Sequence, residues 1–136
     1  MYKTKTKLRV RYAETDRMGY VYYGNYAMYF EVARVEAMKK IGMSYKELED
    51  SGIMMPVLEY SIKYFKPAFY DDELIIETRI EENPGVRIRF DYDTYNQQNQ
   101  KINSAFTTLV FVDVKSGKPR KAPVEFLNML KKTNGT

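Results

Sequence analysis

Polar and less polar positions alternate strictly at the head of the chain. Lys3, Lys5, Lys7, Arg9 and Arg11 fall on one side, and Thr4, Thr6, Leu8, Val10 and Tyr12 on the other. A period of two is the repeat of a β-strand with one wet face, so residues 3–12 read as a strand. A basic row of this kind is more often a solvated face, or a guard against edge-to-edge pairing, than a phosphate site. From residue 25 to 41 the period changes. Tyr26, Tyr29, Phe30, Ala33, Ala37 and Ile41 recur at spacings of three and four, the stripe of an amphipathic helix. Met28, Val32 and Val35 widen that stripe, which predicts a helix wrapped on more than one side. Asn25 stands where a cap would start the helix and Gly42 where one would end it. Glu31 with Arg34, and Glu36 with Lys39 and Lys40, sit at ion-pair spacing.

Beyond the long helix, Ser44 to Glu47 forms a capping box that predicts a short second helix closing before Gly52. Strands are expected over 57–66, 74–80, 86–92 and 105–114. They are separated by Pro67 with Asp71-Asp72, by Asn83-Pro84-Gly85, and by the polar link Asn96 to Gln100. Lys115 to Lys121 is a basic loop, and Pro123 opens a terminal helix reaching Lys132. This order predicts an α+β fold in which a strongly twisted antiparallel sheet of about five strands wraps one long central helix. No internal repeat, low-complexity segment or linker interrupts it, so residues 1–136 read as a single domain.

Composition changes this picture in one respect. A chain of 136 residues is long enough for a core without disulfide or metal staples. It contains no His and no Cys. A Ser-His-Asp triad, a Cys-His pair, a histidine base and the thiolate or H-E-x-x-H zinc sites are therefore excluded within it. Carboxylates, Lys, Tyr and backbone amides remain for chemistry. The formal charge of +4 favours anionic ligands and is weak evidence for nucleic acid. The first residues carry no apolar signal-like core, and no stretch approaches the roughly 20 apolar residues of a membrane span. The expectation is a cytoplasmic protein without membrane insertion.

The segment Arg11 to Arg34 concentrates the remaining candidates. A loop carboxylate, Asp16, precedes Gly19 and an aromatic run that enters the long helix. The unpaired amides and positive dipole end of a helix start form a site for a developing oxyanion. A loop Asp of this kind is, on its own, more often a cap or turn residue. The residues Tyr12, then Thr15-Asp16-Arg17-Met18-Gly19-Tyr20-Val21-Tyr22-Tyr23-Gly24-Asn25-Tyr26, resemble the signature of the hotdog-fold acyl-CoA thioesterases, in particular their 4-hydroxybenzoyl-CoA thioesterase-like (YbgC-like) branch. The helix continuation Tyr29 to Glu36 and the stretch Ile62 to Leu74 are similar as well.

The resemblance implies hydrolysis of an acyl-CoA to free acid and CoA, with no cofactor and no metal, CoA being part of the substrate. It makes Asp16 the catalytic nucleophile or general base, a role a carboxylate fills at neutral pH without an activating histidine. It places the carbonyl-polarising amide at Tyr23, where many relatives carry His; a phenol is a poor proton shuttle, so Tyr23 is assigned mainly its amide. Gly19, Val21, Tyr22, Gly24, Asn25 and Tyr26 become substrate-binding positions. Lys66, Lys118, Arg120 and Lys121 become cations for the CoA phosphates, beside the plain reading of a solvated loop. Glu31 is a second carboxylate candidate. The resemblance also implies a homodimer or homotetramer joined edge to edge between sheets. The alternative function is a non-catalytic module binding acyl-CoA or single-stranded nucleic acid through its basic, aromatic strands, Lys3 to Arg11 and Arg87 to Tyr95.

Overall fold

The opening alternation becomes β1, Tyr2–Arg9, with Tyr2, Thr4 and Thr6 turned inward. This is a computed structural model, which describes residues 1–134. The long stripe becomes α1, Tyr26–Ile41, and the capping box becomes α2, Tyr45–Asp50, whose Ser44 side chain accepts a hydrogen bond from the Glu47 amide. There follow β2 (Ile53–Met54), β3 (Val57–Tyr64), β4 (Glu73–Ile80), β5 (Arg87–Tyr95), β6 (Lys101–Val110), β7 (Val112–Asp113) and α3 (Val124–Asn134). Five strands form one antiparallel sheet in the order β1-β4-β5-β6-β3, and β2 pairs with β7 in a separate ribbon. The expected α+β architecture, the hotdog fold, is present.

The sheet and α1 share one core. Tyr26, Tyr29, Phe30, Ala33, Ala37, Met38 and Ile41 of α1 are buried with Leu74, Ile76, Ile88, Phe90, Tyr92 and Leu109 of the sheet. Phe30 is its centre: the ring is fully buried and stacks on Tyr92 at 4.6 Å between centroids. Truncating a buried aromatic of this kind costs about 3–5 kcal/mol. Gly42 ends α1 at φ 118, a left-handed conformation that only glycine adopts without penalty, and its amide closes on Met38.

Four expectations are corrected. Met28 and Val32 are 50% and 47% exposed, so in one chain α1 buries a single face. Arg34 does not pair with Glu31; it is buried and donates to the hydroxyls of Tyr45 and Tyr92, each at 3.2 Å, because the helix turns it toward β5. The last long strand starts at Lys101 and stops at Val110, since Phe111 turns into the core against Phe126 and Val112 leaves to pair with Met54. The first strand ends at Arg9, leaving Tyr12 exposed in a 3-10 turn.

Candidate active site

Between β1 and α1 the chain makes one long excursion, Val10 to Asn25, and a buried carboxylate fastens both of its ends. Glu14 Oε1 accepts from the Arg11 amide and from the Tyr29 hydroxyl, each at 2.8 Å, and Oε2 accepts from the Arg11 guanidinium at 3.0 Å. The Glu14 carbonyl accepts from the Tyr22 amide at 2.9 Å and from Asn25 Nδ2 at 2.8 Å. Burial alone would raise the Glu14 pKa, but the bonds from Arg11 and Tyr29 outweigh it and hold the carboxyl below its usual range. Tyr29 moves the other way, raised by burial and then by the carboxylate it serves. Sequence reasoning passed over Glu14, since only its three-residue distance from Arg11 hints at the pairing.

Inside the excursion the loop tightens around Asp16. Its amide donates to the Tyr20 carbonyl, its carbonyl accepts from the Gly19 amide, both at 3.0 Å, and Oδ1 accepts from the Met18 amide at 2.9 Å. This is the Asx turn that Asp favours. Gly19 sits at φ 85, and a side chain there would meet no neighbouring atom, so the demand for glycine is conformational. The Val21 amide then donates to the Ala68 carbonyl at 2.8 Å, docking the loop on the segment after β3.

The result is a cleft of about 410 Å³ whose walls include Asp16, Val21, Tyr23, Tyr26, Tyr64 and Lys66. Asn25 does not cap α1. It has helical backbone angles, its side chain reaches back to Glu14, and a single 3-10 turn over Tyr23–Asn25 leads into the helix. That turn spends the Asn25 amide on Tyr22 and the Tyr26 amide on Tyr23. Among the described residues the Tyr23 and Gly24 amides have no hydrogen-bond partner, as expected of the first donors of a helical start. The exposed Tyr22 ring lies over Gly24 and against Tyr23, with 4.7 Å between the two tyrosine centroids. Asp16 forms no ion pair among the described residues. Asp16 and Tyr23, whose amide is free, thus line one cleft, and the free Gly24 amide follows Tyr23 in the same turn.

Of the residues singled out in the sequence, Asp16, Val21, Tyr23, Tyr26 and Lys66 meet in this cleft, while Gly19, Tyr22, Gly24 and Asn25 shape the loop around it. Lys118, Arg120 and Lys121 do not join them within one chain. Their loop is held to Phe111 and Val112, at the opposite end of β6 from Tyr64 and its register partner Asn103. A ten-residue strand spans about 30 Å, so the separation is large. Glu31 is exposed on α1 and is not a wall of the cleft.

Comparison with known proteins identifies the family. Residues 10–130 match the Thioesterase-like superfamily. YneP of Bacillus subtilis (strain 168) is 36% identical over 119 residues, 88% of this chain and 86% of that protein. The acyl-CoA thioester hydrolase YbgC of Escherichia coli O6:H1 is 33% identical over 116 residues, 85% of this chain and 87% of the relative. The crystal structure of a DHNA-CoA thioesterase from Staphylococcus aureus superposes with a TM-score of 0.92 at 31% identity, covering 99% of this chain and 93% of that one. With the fold, the identities and the length of the matches in agreement, the chain belongs to the thioesterase-like superfamily.

Proposed function

We propose that the protein hydrolyses acyl-CoA thioesters to the free acid and CoA at the Asp16 cleft. The observation that carries this reading is the Asp16 carboxylate sharing one cleft with Tyr23, whose amide is unpaired in the turn that leads into α1, in a chain without histidine. The thioester carbonyl oxygen takes the Tyr23 and Gly24 amides as donors, which stabilise the charge it gains. Asp16 either attacks the carbonyl carbon itself, giving an acyl-aspartyl anhydride that water then opens, or removes a proton from the attacking water. In both routes the C–S bond breaks as CoA thiolate leaves. A thiol titrates near 8.5, so departure needs no acid catalyst, in keeping with the empty histidine column.

The reading also includes a homo-oligomer. Edge strand β3 leaves Val57, Leu58 and Tyr60 exposed, and Tyr64 and Phe65 continue the patch to the cleft. Antiparallel pairing of β3 with a second copy would bring the partner subunit's Lys118 and Arg120 beside Lys66, giving the separated basic loop a place at the CoA phosphates. The oligonucleotide reading has no such support, because the β1 cations are engaged: Lys3 with Glu77, Lys7 with Glu73 and Arg9 with Asp71. A panel of aliphatic and aromatic acyl-CoAs with free-thiol detection tests the proposal. Turnover of at least one class is expected; CoA binding with no thiol released from any member would favour a non-catalytic module.

A further inference from the structure

The carboxylate that fastens the loop takes no part in the proposed hydrolysis, and neither do its partners. Glu14, Arg11, Tyr29 and Asn25 are not walls of the cleft. Three rungs close residues 14–22 into an irregular hairpin. The Tyr22 amide donates to the Glu14 carbonyl, Thr15 bridges to Val21, and the Asp16 amide donates to the Tyr20 carbonyl. Asp16 therefore stands on one arm, two residues beyond Glu14, and Tyr23 follows directly on Tyr22 of the other arm. The rung at Glu14 is the one nearest the free Tyr23 and Gly24 amides. Without it, the arm that bears Asp16 and the turn that bears those amides can move independently.

Glu14 also ties the base of this hairpin to α1. The Tyr29 hydroxyl, from the first turn of the helix, donates to its carboxylate, and Asn25 Nδ2 donates to its carbonyl, each at 2.8 Å. The Arg11 amide and guanidinium hold the same carboxylate from the incoming chain. The far end of the hairpin is docked separately, with Val21 bonded to Ala68 and Tyr20 bridged to Phe69. Glu14 is only 7% exposed. A buried ion pair adds little stability over apolar packing of the same shape, and its best-attested use is to fix one arrangement among several. The Tyr29 ring in turn meets Tyr26, a cleft wall, edge-on at 5.5 Å, so the fastening is continuous with the cleft itself.

We infer that Glu14 is a positioning residue: its carboxylate, clamped between Arg11 and Tyr29, keeps the Tyr23 and Gly24 amides in one fixed relation to the Asp16 carboxylate. The consequence for rate rests on the hydrolysis reading. Nucleophile and oxyanion donors have to meet one carbonyl group at the same moment, and a misplacement of about 1 Å can cost about a hundredfold in rate. Binding of the CoA moiety does not depend on that relation, so the effect falls on kcat rather than KM.

Glu14→Gln, Tyr29→Phe and the double variant test this, each assayed well below its melting temperature on the acyl-CoA the wild type turns over fastest. Tyr29→Phe keeps the ring and removes one donor, so it covers the case in which Glu14→Gln does not fold. Each single variant is expected to lose at least about tenfold in kcat with KM little changed. The double variant should fall no further than the worse single one, because both loosen the same clamp. Amide hydrogen exchange gives a readout that needs no turnover. The Tyr22 amide should exchange at least about tenfold faster in both variants, while amides of β5 and β6 keep their wild-type rates. A merely stabilising role lowers the melting temperature and moves neither kcat nor this local exchange. A folded single variant that keeps more than about a third of the wild-type kcat, a loss confined to KM, or an unchanged exchange rate at Tyr22 overturns the inference. Where the wild type turns over no acyl-CoA, the hydrolysis reading has failed on its own, and the exchange rates still decide the clamp.

Discussion

Along β1 the outward side chains are Lys3, Lys5, Lys7 and Arg9, and three of them reach across to carboxylates of β4 or of the turn before it. Along β3, at the other edge of the same sheet, the outward side chains include Val57, Leu58 and Tyr60, with Leu58 55% exposed. Both strands end in unpaired backbone donors and acceptors, the usual template for adding another strand. Only β1 carries the charges that discourage it. The guarded edge needs nothing further, while the apolar edge reads as unfinished and runs directly into the cleft through Tyr64 and Phe65. Edge composition thus separates a charged edge from an apolar one that a single chain leaves exposed.

The most disruptive way to break this contrast is to put a charge on the apolar edge. If β3 pairs as proposed, Leu58→Lys is expected to leave a monomer of about 16 kDa by light scattering and to lower thioesterase activity at least about tenfold, with the circular dichroism spectrum kept. An unchanged mass would show that β3 is not the pairing edge.

A smaller effect is expected where the basic row leaves the edge. Arg11, its last member, binds buried Glu14 rather than an exposed carboxylate. Glu14→Gln keeps the shape but loses the charge-assisted bonds, at about 1.5–3 kcal/mol by denaturant melts. The Glu14 pKa is depressed from an ordinary value of 4.5, so its contribution is complete above that value and is lost as pH falls through the lower native one. Asp93, where bonds from Ser104 and Arg79 outweigh a burial that acts to raise it, behaves likewise. Wild-type melting temperatures should therefore fall below about pH 4.5, and Glu14→Gln should show a shallower acid decline. Identical acid limbs would contradict this. The smallest effect belongs to the guarded edge. Lys7 is exposed and 3.8 Å from Glu73, and Lys7→Ala should stay within about 0.5 kcal/mol of the wild type. A larger loss would mean that the β1 charges stabilise the monomer rather than guard it.

Most of the fold was legible because strand and helix periods are local. Gly42, Ser44 and the break near Pro67 punctuate them where the structure does. Asp16 and Tyr23 were singled out through the resemblance of their loop to a family signature, and both line the same cleft. What escaped depends on distant contacts. Met28 and Val32 carry the same apolarity as the core residues beside them, and nothing local says that one chain leaves them uncovered. In β3 Leu58, Tyr60, Ile62 and Tyr64 alternate with Glu59, Ser61 and Lys63, the pattern of any half-buried strand, so nothing local marks it as an edge. Glu14 matters through Tyr29, fifteen residues on. The basic loop lies beyond the reach of the cleft within one chain, a fact only the register of β6 reveals.

The central claim is that Asp16 performs the chemistry that the cleft and the helix start prepare. The most direct measurement is the kcat of Asp16→Asn on whichever acyl-CoA the wild type turns over fastest, beside its KM and melting temperature. A fall in kcat of at least about a hundredfold, with KM and melting little changed, is the predicted result. A variant that keeps the wild-type kcat would contradict it.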